Sequence, residues 1–105
     1  MIDPHSIVIA TLVEPRERIW GELLGIHAEG VTLRGISLDS FEEFVQQPLR
    51  RGECAVSMST AFYPMRRVER IALDESAGPL PSLCGVFRDR VGMTIQEYLG
   101  ILETG

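Results

Sequence analysis

Lysine is absent from the 105 residues: all 10 basic side chains are arginine, against 15 Asp and Glu, for a net charge of −5. A chain of that sign lacks the electrostatic footprint on which nucleic-acid binding usually rests. Cysteine is scarce as well, and 2 residues can build neither a disulfide framework nor a Cys-rich zinc site, which points to a reducing setting. Long apolar runs are missing. The stretch from Ile7 to Val13 is interrupted by Thr11 and is far shorter than the ~20 residues of a membrane helix. Before it stand Asp3 and Pro4, where a signal peptide would carry basic residues, so the expected location is cytoplasmic, with no membrane partner. What the chain does have is a 45% apolar content, enough for one domain of this length to bury a single core.

The apolar residues from Ser6 to Leu38 follow a strand pattern. Ile7, Val8 and Ile9 are β-branched, Glu14 to Arg18 break the run, and Ile19 to His27 resume it before Ala28-Glu29-Gly30 turns into Val31-Thr32-Leu33. This predicts an antiparallel meander of three strands. In the second, Trp20, Glu22, Leu24 and Ile26 share one face, and Ile19, Gly21, Leu23, Gly25 and His27 the other. Apolar residues on both faces predict a sheet covered on both sides. Glycines within the strands, Gly21, Gly25 and Gly35, suit a sheet that bends sharply into a small barrel.

After Asp39 the period becomes helical. Ser40 and Glu43 are spaced as a capping box, with Phe41, Phe44 and Val45 on one face and Pro48 as the stop. Cys54 to Tyr63 alternate strictly, with Val56, Met58, Thr60 and Phe62 opposing Ala55, Ser57, Ser59 and Ala61, which predicts a fourth strand. Val68 to Leu73 follow as a fifth, Ile71 and Leu73 lying opposite Arg70. Beyond the stiff connector Ala77 to Pro81, Ser82 is placed to cap a helix carrying Leu83, Val86 and Phe87 that Gly92 stops. Thr94 and Glu97 form a second capping box, opening a stripe of Ile95, Tyr98, Leu99 and Leu102 that is too short to be stable unless it docks on its own sheet or on a neighbour.

Five strands in this order, the last two joined by a brief turn, resemble the Sm-like family of small β-barrels, which includes Sm, LSm and bacterial Hfq proteins. The likeness covers about Ile7 to Leu73, and Gly21-Glu22-Leu23-Leu24-Gly25-Ile26 looks like the family's Gly-x-Leu second strand. The resemblance implies one mainly β domain, a five-stranded SH3-like barrel over about 6–75, into which the short helix from Ser40 to Leu49 is an insertion outside the family's minimal pattern. A C-terminal helical pair over about 82–103 lies outside the minimal pattern. It further implies a homo-oligomer closed into a ring by pairing of the fourth and fifth strands, whose open edges would otherwise invite aggregation. At the family's RNA-reading positions this chain carries His27, Gly30-Val31 and Phe62-Tyr63-Pro64-Met65, of which Tyr63 alone echoes the family.

The candidate binding residues are therefore His27, Tyr63, Arg66 and Arg67, since arginine beside aromatics is the chemistry of single-strand RNA recognition. Glu69, Asp74 and Glu75 interleave with these arginines and nearly cancel their charge. No catalytic residue, metal site or cofactor is expected. His5 and His27 sit in no ligand-spaced cluster, Cys54 and Cys84 read as small buried hydrophobes, and no glycine motif cradles a phosphate between strand and helix. The sequence thus predicts a non-enzymatic Sm-like scaffold or binding module, with RNA binding at a ring pore as the alternative.

Overall fold

The computed structural model describes residues 2–46 and 58–100. Arg50, Arg51, Cys54 to Ser57 and Leu102 lie outside them, as does Pro48, so the first part of the expected fourth strand is not described. The strands are β1 (Ile7–Leu12), β2 (Glu17–Ile26), β3 (Gly30–Ser37), β4 (Ser59–Pro64) and β5 (Val68–Leu73). They form one antiparallel sheet in the order β4-β3-β2-β1-β5, leaving β4 and β5 as its two edges. The sheet is not closed. Three helices, α1 (Phe41–Gln46), α2 (Leu83–Val91) and α3 (Ile95–Leu99), complete the chain.

The sheet is nonetheless strongly bent. β2 is 10 residues long and would run about 30 Å if straight. Yet the 3-10 turn Met65–Arg67 reaches beyond both of its ends: Met65 N–H donates to the Glu29 carbonyl at 2.9 Å, and Arg67 Nε donates to the Val13 carbonyl at 3.0 Å. Three residues cannot bridge such a length, so β2 must curve. It does so where Gly21 lies directly opposite Gly35, because a Cβ on Gly21 would stand 2.2 Å from the Arg34 carbonyl oxygen. A second device is a bulge at Leu24, where the register against β3 steps by one residue.

That bulge corrects the expected alternation. Beyond Leu24 the two faces exchange, so Ile26 pairs with Val31 on the face of Leu23, and Gly25 and His27 join the face of Trp20 and Glu22. β4 differs too. Val31 pairs with Tyr63, which packs against buried Val31 and Leu33 with its neighbours, whereas Phe62 points to the opposite face and is 52% exposed.

Each face of the sheet has its own core, as the apolar content of both faces predicts. One is built by the strands alone, from Val8, Ala10, Leu12, Ile19, Leu23, Val31 and Leu33, with Val68, Ile71 and Leu73 of β5 packed on it. The other lies under the helices and gathers all but two of the aromatic residues. Trp20 meets Phe41 edge-on at 5.1 Å, Phe44 stacks on Phe87 at 5.8 Å, and Tyr98 closes against both Phe44 and Phe87. The C-terminal stripe thus docks on its own sheet, with Ile95 fully buried. Ser82 caps α2 and Thr94 with Glu97 forms the capping box of α3, as their spacing predicts. α1 differs, because a 3-10 turn over Leu38–Ser40, capped by Ser37, precedes it and places Ser40 inside the helical run. Among the described residues no helix is long and apolar enough to cross a membrane.

Candidate functional site

The four residues singled out from the sequence separate into two groups. Arg67 is committed to the fold: it donates to the Val13 carbonyl at 3.0 Å, the Pro15 carbonyl at 2.9 Å and Glu17 Oε2 at 2.9 Å, with its side chain 20% exposed. Tyr63 lies beside it in the strand-built core, and burial, then the nearby Glu17 carboxylate, raises its phenol above the ordinary value. Arg67 thus fastens the bend of the sheet, and Tyr63 packs on its core. His27 and Arg66 are exposed, and Arg66 makes no side-chain hydrogen bond or ion pair among the described residues.

His27 shares its face with Phe62, because Gly25 pairs with Thr32, Thr32 with Phe62, and His27 with Gly30 across the hairpin. The rim of the Phe62 ring lies over Gly30, where a Cβ would stand 2.3 Å from the Tyr63 carbonyl oxygen and 2.6 Å from Phe62 Cζ. Only glycine allows the aromatic ring to rest on β3 in this way. Among the described residues β4 pairs on one side only, and every residue of Ser59–Pro64 is uncharged. β5, the other edge, carries the charged Glu69 and Arg70 and a bulge against Thr11 and Leu12. The β4 edge instead offers an unpaired backbone and an exposed aromatic.

Two polar clusters escape sequence reading. Glu22, 2% exposed, accepts from Arg34 Nε at 3.0 Å and Nη2 at 2.6 Å, and meets His5 Nδ1 at 2.5 Å. His5 holds a left-handed backbone (φ 75°), kept there by its ring contact and by its N–H donating to the Leu23 carbonyl at 2.6 Å. A histidine oriented by a carboxylate is half of a nucleophile-activating arrangement, but no serine, threonine or cysteine completes it among the described residues. The cluster satisfies a buried charge and ties the N-terminal segment to the sheet. A carboxylate among the apolar residues of β2 is the signal that a partner must exist. The partner itself is set by the Leu24 bulge, without which Glu22 would face Gly35 instead of Arg34.

The second cluster centres on Asp74. Its carboxylate accepts from Trp20 Nε1 at 3.0 Å and from the Leu83 and Cys84 backbone N–H groups at 2.8 and 2.7 Å, fastening the start of α2 to the buried tryptophan. Burial, then hydrogen bonding to Asp74 and its negative charge, pushes the Cys84 thiol well above its ordinary value. Cys84 is thus poorly suited to act as a nucleophile. In a Cys54→Ser variant, alkylation of the native protein at pH 8 should be at least about tenfold slower than in denaturant, as followed by mass spectrometry. Equal rates would show that Cys84 is accessible and reactive.

Among the described residues no group of three or more His, Cys, Asp and Glu side chains could hold a metal ion. No protein-family model, curated protein or solved structure matches the chain.

Proposed function

We propose that this protein is a non-catalytic, Sm-like barrel subunit that assembles head to tail by pairing β4 of one copy with β5 of the next. The supporting observation is the uncharged β4 edge with Phe62 laid over Gly30, in a sheet whose opposite edge is β5. Pairing unlike edges is heterologous, so a rotation that closes gives a ring and leaves no edge free. The bend of β2, fastened near both ends by the turn that joins β4 to β5, supports the barrel reading. The alternative, an RNA-binding ring that reads bases at its pore, rests on Arg66 with His27, since Arg67 is held by three oxygen atoms. Assembly draws on the whole β4 edge and is preferred.

Light scattering coupled to gel filtration at micromolar concentration should give a mass several times the 11.7 kDa of one chain. Phe62→Asp, a change at an exposed position, should return that mass to a single chain with little change in far-ultraviolet circular dichroism. A parent protein that runs as a monomer would sink the assembly reading.

A further inference from the structure

Beyond the β4 edge, the helix-covered face of the sheet carries a second feature. Its central cross-strand row is apolar: Ile36, Trp20, Ile9 and Ala72, on four neighbouring strands. The next row towards the β1–β2 turn is Arg18 on β2, Thr11 on β1 and Arg70 on β5. These three residues line a groove of about 280 Å³ with Arg16 at its side and Ile9 and Ala72 in its wall. Three of the chain's 10 arginines thus meet in one place, on a protein of net charge −5. The acidic groups nearby are already engaged or lie aside. Glu69 is bonded to Arg16 at 3.3 Å and Glu17 to Arg67, while Asp39 lines the adjoining groove across Arg18. Arg18 and Arg70 are exposed and have no ion-pair partner among the described residues.

We infer that the Arg18–Thr11–Arg70 row binds the phosphoryl group of free phosphate or of a small phosphate monoester. Like charges flanking one strand repel, and Arg18 and Arg70 have no ion-pair partner among the described residues. A phosphate monoester carries about −1.5 to −2 at neutral pH and matches them, whereas a carboxylate or a nucleic-acid phosphodiester brings a single charge. Guanidinium groups on either side donate in forked pairs to tetrahedral oxygens, and the Thr11 hydroxyl can donate from between them. Strands two apart are separated by about 10 Å, a span across which two arginine side chains flanking Thr11 can reach one phosphoryl group. At about 280 Å³ the groove falls just under the range of about 300 to 1,000 Å³ of small-molecule sites and has room for a small phosphate monoester.

Inorganic phosphate and glycerol 3-phosphate should each raise the melting temperature of the full chain by about 4 °C or more at saturation, and bind measurably by calorimetry. Tighter binding of glycerol 3-phosphate would identify a monoester as the ligand, and equal binding free phosphate. Arg18→Gln with Arg70→Gln should weaken affinity at least about tenfold while the unliganded variant melts no lower than the parent, since two unpaired like charges are removed. If that variant melts lower, Arg70→Gln alone, on an exposed edge position, should still weaken binding several-fold. An identical shift with potassium acetate at matched ionic strength, or full affinity in these variants beside an Arg88→Gln control, would overturn the assignment.

Discussion

An Arg34→Ala protein should unfold about 3 kcal/mol more readily than its parent, a large part of the 5–15 kcal/mol that holds a domain of this size together. The change deletes two of the hydrogen bonds to Glu22 and leaves a carboxylate 2% exposed to solvent with His5 as its remaining side-chain partner. Breaking a buried ion pair from one side costs about 3–5 kcal/mol, and the lower figure applies here because Arg34 is itself 33% exposed. Replacing both members, as Glu22→Leu with Arg34→Met, removes the stranded charge and should recover most of the loss. Urea unfolding with an unchanged slope would read these differences directly. A loss below about 1 kcal/mol in Arg34→Ala would mean that His5 and water satisfy Glu22 without it.

Phe87→Ala should cost about 3–5 kcal/mol, because a fully buried ring that packs between Phe44, Tyr98 and Trp20 would leave a cavity the helices cannot collapse to fill. Ending the chain after Gly78 should do more. It strips α2 and α3 from the sheet, takes the two backbone partners of Asp74, and uncovers Trp20 and Phe44. The shortened protein should lose the near-ultraviolet signal of its single tryptophan and bind dyes specific for exposed apolar surface. A truncated chain that melts like the parent would show that the helices are dispensable to the sheet.

Much of this architecture is legible in the residues. The meander, the fifth strand, the caps at Ser82 and Thr94 and the apolar faces of α1 and α3 follow from local period and capping chemistry, which act within a few residues. The errors arise where one residue is added or where partners are distant. A bulge at Leu24 has no compositional mark, yet it exchanges the two faces of β2 downstream and decides that Glu22 meets Arg34. Phe62 and Tyr63 are adjacent aromatics, so alternation alone cannot say which turns inward; pairing with Val31 assigns it to Tyr63. Arg67 stands in the densest basic cluster of the sequence, but its acceptors are Val13, Pro15 and Glu17, at least 50 residues away. The basic groove was hidden for the same reason, because Arg18 and Arg70 meet only through the registers of β1 with β2 and with β5.

The turn Met65–Arg67, fastened beyond both ends of β2, also bears on how fast the molecule can form. Its bonds to Val13 and Glu17 span 54 and 50 residues of chain, and the Trp20–Asp74 bond spans 54. Loops of that length must close before the bonds reward them, whereas the β1–β2–β3 meander needs only short hairpins. Folding should therefore take milliseconds to seconds, the regime of proteins dominated by distant pairings, instead of the microseconds open to helical bundles. Val13 and Arg67, so far apart in the chain, make the last stages of folding a matter of waiting for the two ends of one strand to find the same three residues.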